Sequence, residues 1–151
     1  MITRLQPFGL LIGRVVLGIV FIAHGWQKFN ENGMDATAQG FEGLGIPAPT
    51  LSAYFTVGAE LIGGSLLILG ALLPLAGLWL AVVMLGAMFY VHLDGGFYSM
   101  NGGYEYVLML AAASIAIGFS GGGALAVDSL WLNKVGDKKK DDEPLRAESL
   151  A

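Results

Sequence analysis

From Ala59 to Leu93 the chain is apolar almost without interruption. One helix of that length would rise about 50 Å, whereas the hydrocarbon core of a bilayer is about 30 Å thick. The run must therefore fold back on itself. Gly70 and Pro74 mark the place, because glycine suits a helix end and proline fits the first turn of the next helix, where its missing N–H costs nothing. A turn over Gly70–Pro74 leaves a membrane-length helix on either side.

Two further stretches have the same character, and together they predict four helices over about 8–29, 51–72, 75–93 and 104–123. The chain is 55% hydrophobic and only 13% charged, with a mean hydropathy of +0.66. A soluble domain carries about 25% charged residues, so a water-soluble core is disfavoured. The expected fold class is an all-α membrane protein, a four-transmembrane-helix bundle over residues 1–131 with a flexible tail over 132–151. The first apolar stretch holds Arg14 and is followed by further spans, which marks it as a retained helix rather than a cleaved signal. The net charge of −4 is small and says little about partners, and nucleic-acid binding is not indicated.

Charge in the connections sets the expected topology. Residues 30–50 contain Glu31, Asp35, Glu42 and the Pro47/Pro49 pair, and residues 94–103 contain Asp94 and four glycines; neither segment has a lysine or arginine. Positive charge sits at the ends, in Arg4 and in Lys134, Lys138, Lys139, Lys140 and Arg146. The positive-inside rule puts both termini in the cytoplasm, which an even number of spans permits. The tail is expected to be solvated or to lie against the anionic leaflet.

Inside the spans lie side chains that lipid does not tolerate. Arg14, Leu17, Phe21, His24 and Lys28 follow at intervals of three and four and so share one helix face, with Gly18 and Gly25 beside it. Ala53, Thr56, Glu60, Gly63 and Gly64 make a similar small and polar face on the second helix. Polar groups avoid lipid and small residues admit a neighbouring helix, so the two faces are expected to meet. On this topology Glu60 lies near mid-membrane with Arg14 below and His24 above, and His24, Lys28, His92 and Glu105 form an outer cluster. The cations Arg14 and Lys28 balance the anions Glu60 and Glu105. Such groups either hold the helices in register or form a functional pocket.

The chain has no cysteine, so neither a disulfide nor a thiolate-held iron–sulfur cluster is available. Redox chemistry would need a bound cofactor, a quinone or a partner. His24 and His92 differ in expected depth by about 5 Å, which leaves a haem open; the plainer reading is that each bonds a neighbouring carboxylate. No metal site is assigned.

RVVLGIVFIAHGWQKF, GIPAP ahead of the second helix, AELIGGSLLILG, His92 closing the third helix, NGG and Tyr104–Glu105, and GFSGGGALAVDSL occur in that order. Together they cover about four-fifths of the chain and resemble the DoxX family. The resemblance implies a four-helix, multi-pass protein of the bacterial plasma (inner) membrane. Related DoxD-type proteins belong to a thiosulfate:quinone oxidoreductase, and actinobacterial relatives are associated with a complex containing superoxide dismutase and a thiosulfate sulfurtransferase. Carried over by position, Arg14, His24, Gly25, Lys28 and Glu60 match the family's recurring polar set, and Asp128 matches an acidic residue after its last glycine motif. Here GGGALAVD stands where relatives often have a proline and a serine before the aspartate.

Two functions follow as expectations. In the first, the protein is the membrane subunit of a redox system linked to thiosulfate or to thiol and oxidative-stress metabolism, and binds quinone. His24, Lys28, His92 and Arg14 would hold the ligand, while Glu60, His24 and Glu105 would act as catalytic proton carriers. In the second, the chain is a non-catalytic scaffold that recruits soluble redox enzymes such as superoxide dismutase and a sulfurtransferase. The lipid bilayer is a partner in both, and homo-oligomerisation is left open. A transporter with a proton site at Glu60 lacks support, because no inverted repeat is evident.

Overall fold

The first apolar stretch forms one rod, α1 (Ile2–Trp26) running directly into a π-helical turn at Gln27–Asn32. Along it Leu5, Phe8, Ile12, Val16 and Ile19 recur every three or four residues and point outward, with Ile12 65% exposed, whereas Arg14, Leu17 and Phe21 are buried. On a soluble monomer such a stripe would drive association. Against acyl chains it is the expected surface. The computed structural model describes residues 2–129. The tail expected over 132–151, with its lysines and Arg146, lies outside the described residues.

After the rod come α2 (Met34–Gly43), α3 (Pro49–Gly58), a second π turn (Ala59–Gly63) and α4 (Gly64–Leu69). The chain then reverses into α5 (Leu73–Ala87), which passes through a third π turn (Met88–His92) and a 3₁₀ turn (Leu93–Gly95). A loop with one 3₁₀ turn (Ser99–Asn101) leads to α6 (Glu105–Phe119). The result is an all-α bundle. Among the described residues three helical rods, Arg4–Asn32, Pro49–Leu69 and Leu73–Gly95, are long and apolar enough to span a membrane. At 15 residues α6 rises only about 22 Å. It stops at Phe119, short of the expected 123, where Gly121 and Gly123 adopt positive φ.

One segment differs from its expected form. Residues 30–50 read as an acidic connection, yet Met34–Gly43 is a helix that packs on α3. Met34, Thr37, Phe41 and Leu44 lie three or four apart on one side of it, a periodicity that the surrounding Asp35 and Glu42 disguise. Thr37 is buried and its hydroxyl donates to the Lys28 carbonyl at 3.1 Å, which fastens α2 to the end of the first rod.

Small residues set how closely the rods approach. A Cβ at Gly18 would lie 2.6 Å from the Gly64 carbonyl oxygen, and one at Gly64 would lie 2.9 Å from that of Gly18. α1 and α4 therefore touch backbone to backbone there. The remaining core is apolar, with Phe21, Leu67, Leu73, Leu80 and Leu110 buried among the rods. α5 packs on α6 and on the Ala59–Gly63 turn, while α1 packs on that turn and on α4.

The reversal falls where glycine and proline placed it. Gly70 closes α4 at φ 69°, Leu72 is held at φ 49°, and Pro74 sits in the first turn of α5. A left-handed leucine is strained. What holds it is Asp128, whose carboxylate accepts from the Leu72 and Leu73 amides at 2.9 and 3.0 Å. That aspartate thus caps α5 from 55 residues away along the chain, despite the departure in the residues before it. The Asp128 amide donates to the Gly70 carbonyl and the Ala124 amide to that of Pro7, so the segment after α6 laces both rods together at this end.

Candidate functional site

At the other end of the bundle, where α1 finishes and α3 and α6 begin, the rods enclose a cavity of about 530 Å³. Phe21, His24 and Lys28 line it from the first rod, Phe55, Thr56 and Glu60 from the second, Met84, Tyr90 and His92 from the third, and Tyr106 and Leu110 from α6. Phe41, Leu44, Ile46 and Pro47 bring α2 and its following loop to the wall. Polar groups are few and the remainder is aliphatic or aromatic, the usual make-up of a small-molecule site.

Lys28 and Glu60 answer each other across this cavity. Lys28 Nζ donates to both carboxylate oxygens, at 2.8 and 2.9 Å, and has a longer contact of 3.4 Å to the His24 carbonyl. The lysine side chain is 23% exposed and the glutamate 2%. The approach that lets them meet comes from Gly25, where a Cβ would stand 2.9 Å from Glu60 Cβ. Burial removes water from both charges, so the pair is held by mutual attraction and by two charge-assisted hydrogen bonds. His24 lines the same cavity.

Three of the polar groups sit on π-helical turns: Lys28 on Gln27–Asn32, Glu60 on Ala59–Gly63 and His92 on Met88–His92. A π turn carries one extra residue and re-aims the side chains around it, a device common at functional sites. His92 Nδ1 lies 2.8 Å from the Gly102 carbonyl oxygen, so the loop after α5 orients the ring.

Arg14 and Glu105 are not among the side chains lining the cavity. Arg14 is 1% exposed, and its Nη1 donates to the Leu67 and Ile68 carbonyls at 3.2 and 2.8 Å, its Nη2 to that of Ala124 at 2.8 Å. Those are carbonyls of the last turn of α4 and of the lacing segment, which a forked guanidinium satisfies well. Arg14, counted with Lys28 as balancing Glu60 and Glu105, therefore meets backbone carbonyls instead. Leu67 lies seven residues past Glu60, roughly 10 Å along the helix, and the carboxylate is taken by Lys28. Glu105 likewise turns away from the outer cluster expected for it: its Oε1 accepts from the Ser99 amide at 2.7 Å and the Ser99 hydroxyl at 2.8 Å.

Tyr90, Tyr106 and the α2 residues were not singled out by sequence. Tyr90 carried a signal in standing two residues from His92; Tyr106 follows Glu105 but offered none of its own. Among the described residues no three His, Asp or Glu side chains gather to hold a metal ion.

Fold and site together define a multi-pass helical membrane protein with an internal, polar-ended cavity. The chain belongs to the DoxX family, whose family model matches residues 9–93. That family comprises membrane proteins often linked to redox and oxidative-stress roles, and this member is a multi-pass protein of the plasma (inner) membrane. It is 37% identical over 120 residues to a putative oxidoreductase, CatD, of Bacillus subtilis, covering 80% of this chain and 84% of that protein. An uncharacterized protein of Haemophilus influenzae is 31% identical over 134 residues, covering 87% of this chain and 96% of the relative. The inner membrane protein YqjF of Escherichia coli is 27% identical over 133 residues, covering 87% and 97%. No solved structure matches.

Proposed function

We propose that this protein is the membrane subunit of a quinone-linked redox system serving thiosulfate or thiol and oxidative-stress metabolism, with the ligand held in the cavity between the rods. The observation that carries the reading is the cavity itself: about 530 Å³ of largely apolar space, with an ion pair and two histidines on its walls. A prenylated ring needs apolar walls for its tail and ring and a few polar groups for its oxygens. When bound, such a ring supplies the means to carry electrons and protons through an apolar phase.

Lys28 is the donor best placed for a ring oxygen, since its third N–H has only the 3.4 Å contact to the His24 carbonyl. His24 is the alternative donor. Glu60 acts as the proton carrier behind Lys28, which accords with its burial and its partner. Arg14 and Glu105 act at a distance, by fixing the two ends of the bundle. The resemblance to a putative oxidoreductase of Bacillus subtilis supports the class of reaction.

The topology belongs to the same proposal: α6 serves as a fourth span, both termini face the cytoplasm, residues 1–131 form the membrane domain and 132–151 a cytoplasmic tail. A scaffold that recruits soluble redox enzymes is the second reading. It is favoured by the direct Lys28–Glu60 pair, which can equally serve only to hold the rods together.

Titration of the protein in lipid nanodiscs with a short-chain ubiquinone or menaquinone analogue separates the two. Saturable binding that Glu60→Gln weakens roughly tenfold, the worth of about one charged hydrogen bond, supports the quinone reading. Failure to bind either analogue, with soluble redox enzymes co-purifying with both proteins, sinks it in favour of the scaffold.

A further inference from the structure

We propose that His92 is the specificity-determining acceptor of the cavity: its Nε2 takes a hydrogen bond from a phenolic hydroxyl, so the site selects the hydroquinone form of its ligand over the quinone. This deepens the quinone reading and rests on it. The starting point is the 2.8 Å contact between His92 Nδ1 and the Gly102 carbonyl oxygen. A carbonyl has no proton to give, so Nδ1 must donate. In a neutral imidazole the other nitrogen is then bare, and the partner of the first fixes the role of the second.

The carbonyl that sets this tautomer is itself held. Gly102 has φ 81°, its amide donates to the Ser99 carbonyl at 2.9 Å, and the Gly103 amide donates to that of Tyr98 at 3.0 Å. Glu105 in turn grips Ser99 through its amide and hydroxyl. The order of action is therefore Glu105 to Ser99, Ser99 to the Gly102 turn, and that turn to the ring on the cavity wall. Glu105 is a positioning residue in this scheme.

The two oxidation states of the ligand differ in the one property a bare Nε2 reads. A hydroquinone oxygen carries a proton and donates it; a quinone oxygen carries lone pairs only and would face the lone pair of Nε2. A site built to bond a hydroxyl rejects the analogue that lacks it, because its own polar group is then left unmet. Lys28 does not discriminate in this way, since its N–H donates to a hydroxyl oxygen as readily as to a carbonyl.

His92→Asn separates the acceptor from the tether. The Asn side-chain amide can still donate to the Gly102 carbonyl, but it presents nothing where Nε2 stood. Calorimetric titration of the nanodisc-held protein under anaerobic conditions, with a decyl-substituted ubiquinol and the matching ubiquinone, is expected to give roughly tenfold tighter binding of the reduced form. In the Asn variant that ratio falls to about one. Histidine-selective ¹⁵N NMR of the unsubstituted protein should show a protonated Nδ1 and a bare Nε2 whose resonance moves with the hydroquinone and not with the quinone. Equal or tighter binding of the quinone, a ratio kept by the variant, or a protonated Nε2 in the neutral ring each overturns the role of His92. If neither form binds, the quinone reading falls and this inference falls with it.

Discussion

Lys28 and Glu60 are the residues whose loss should be felt most sharply. Neither charge is stable alone in an apolar interior, and the glutamate is 2% exposed. Lys28→Met is expected to cost about 3 kcal/mol of stability, because it leaves a carboxylate buried without its counter-charge. The double variant Lys28→Met/Glu60→Met should recover most of that loss, since an apolar pair of similar volume needs no compensation. Reversible unfolding in mixed micelles provides the measurement. Equal costs for the single and double variants would mean that the pair is not what holds these side chains in place.

Among the elements, the contact between α1 and α4 depends on the absence of side chains. Gly64→Ala would press a methyl group to 2.9 Å from the Gly18 carbonyl oxygen and 3.0 Å from Ile22 Cγ1. Backbone cannot move aside as a side-chain tip does, so the expected cost is about 1–3 kcal/mol, the range for overpacking. The same unfolding assay checks it, with Gly86→Ala as the control because a Cβ there meets nothing within 4 Å. The opposite end of α4 works by addition. There Gly70, Arg14 and Asp128 combine a left-handed residue, a guanidinium on last-turn carbonyls and a carboxylate on first-turn amides, so a reversal of a few residues is satisfied at both helix ends.

For the whole molecule, the sharpest prediction concerns sidedness. The chain contains no cysteine, so a single one introduced at position 39 or 100 is a unique label. A membrane-impermeant maleimide added to intact cells is expected to label both positions, and to label a cysteine at position 4 only after the membrane is opened. Labelling of positions 39 and 100 on opposite sides would contradict the pairing of rods into an even bundle. Labelling of position 4 in intact cells would reverse the orientation.

The sequence by itself determined the membrane class, the reversal at Gly70–Pro74 and the burial of Arg14 and Glu60. These rest on hydropathy, on φ preferences and on the cost of charge in lipid, all of which act locally along the chain. Tertiary structure decided the partners. Spacing of three and four puts Arg14, His24 and Lys28 on one face, but it does not say which of the two cations meets Glu60; the depth at which two rods cross does, and the glycines at 18, 25 and 64 set it. Hydropathy likewise passed over α2, because a short helix with Asp35 and Glu42 on its outer side averages to the polarity of a loop. Hydrogen bonds between residues far apart in sequence, Asp128 to Leu72 and His92 to Gly102, have no local signal, since only the folded chain brings donor and acceptor together.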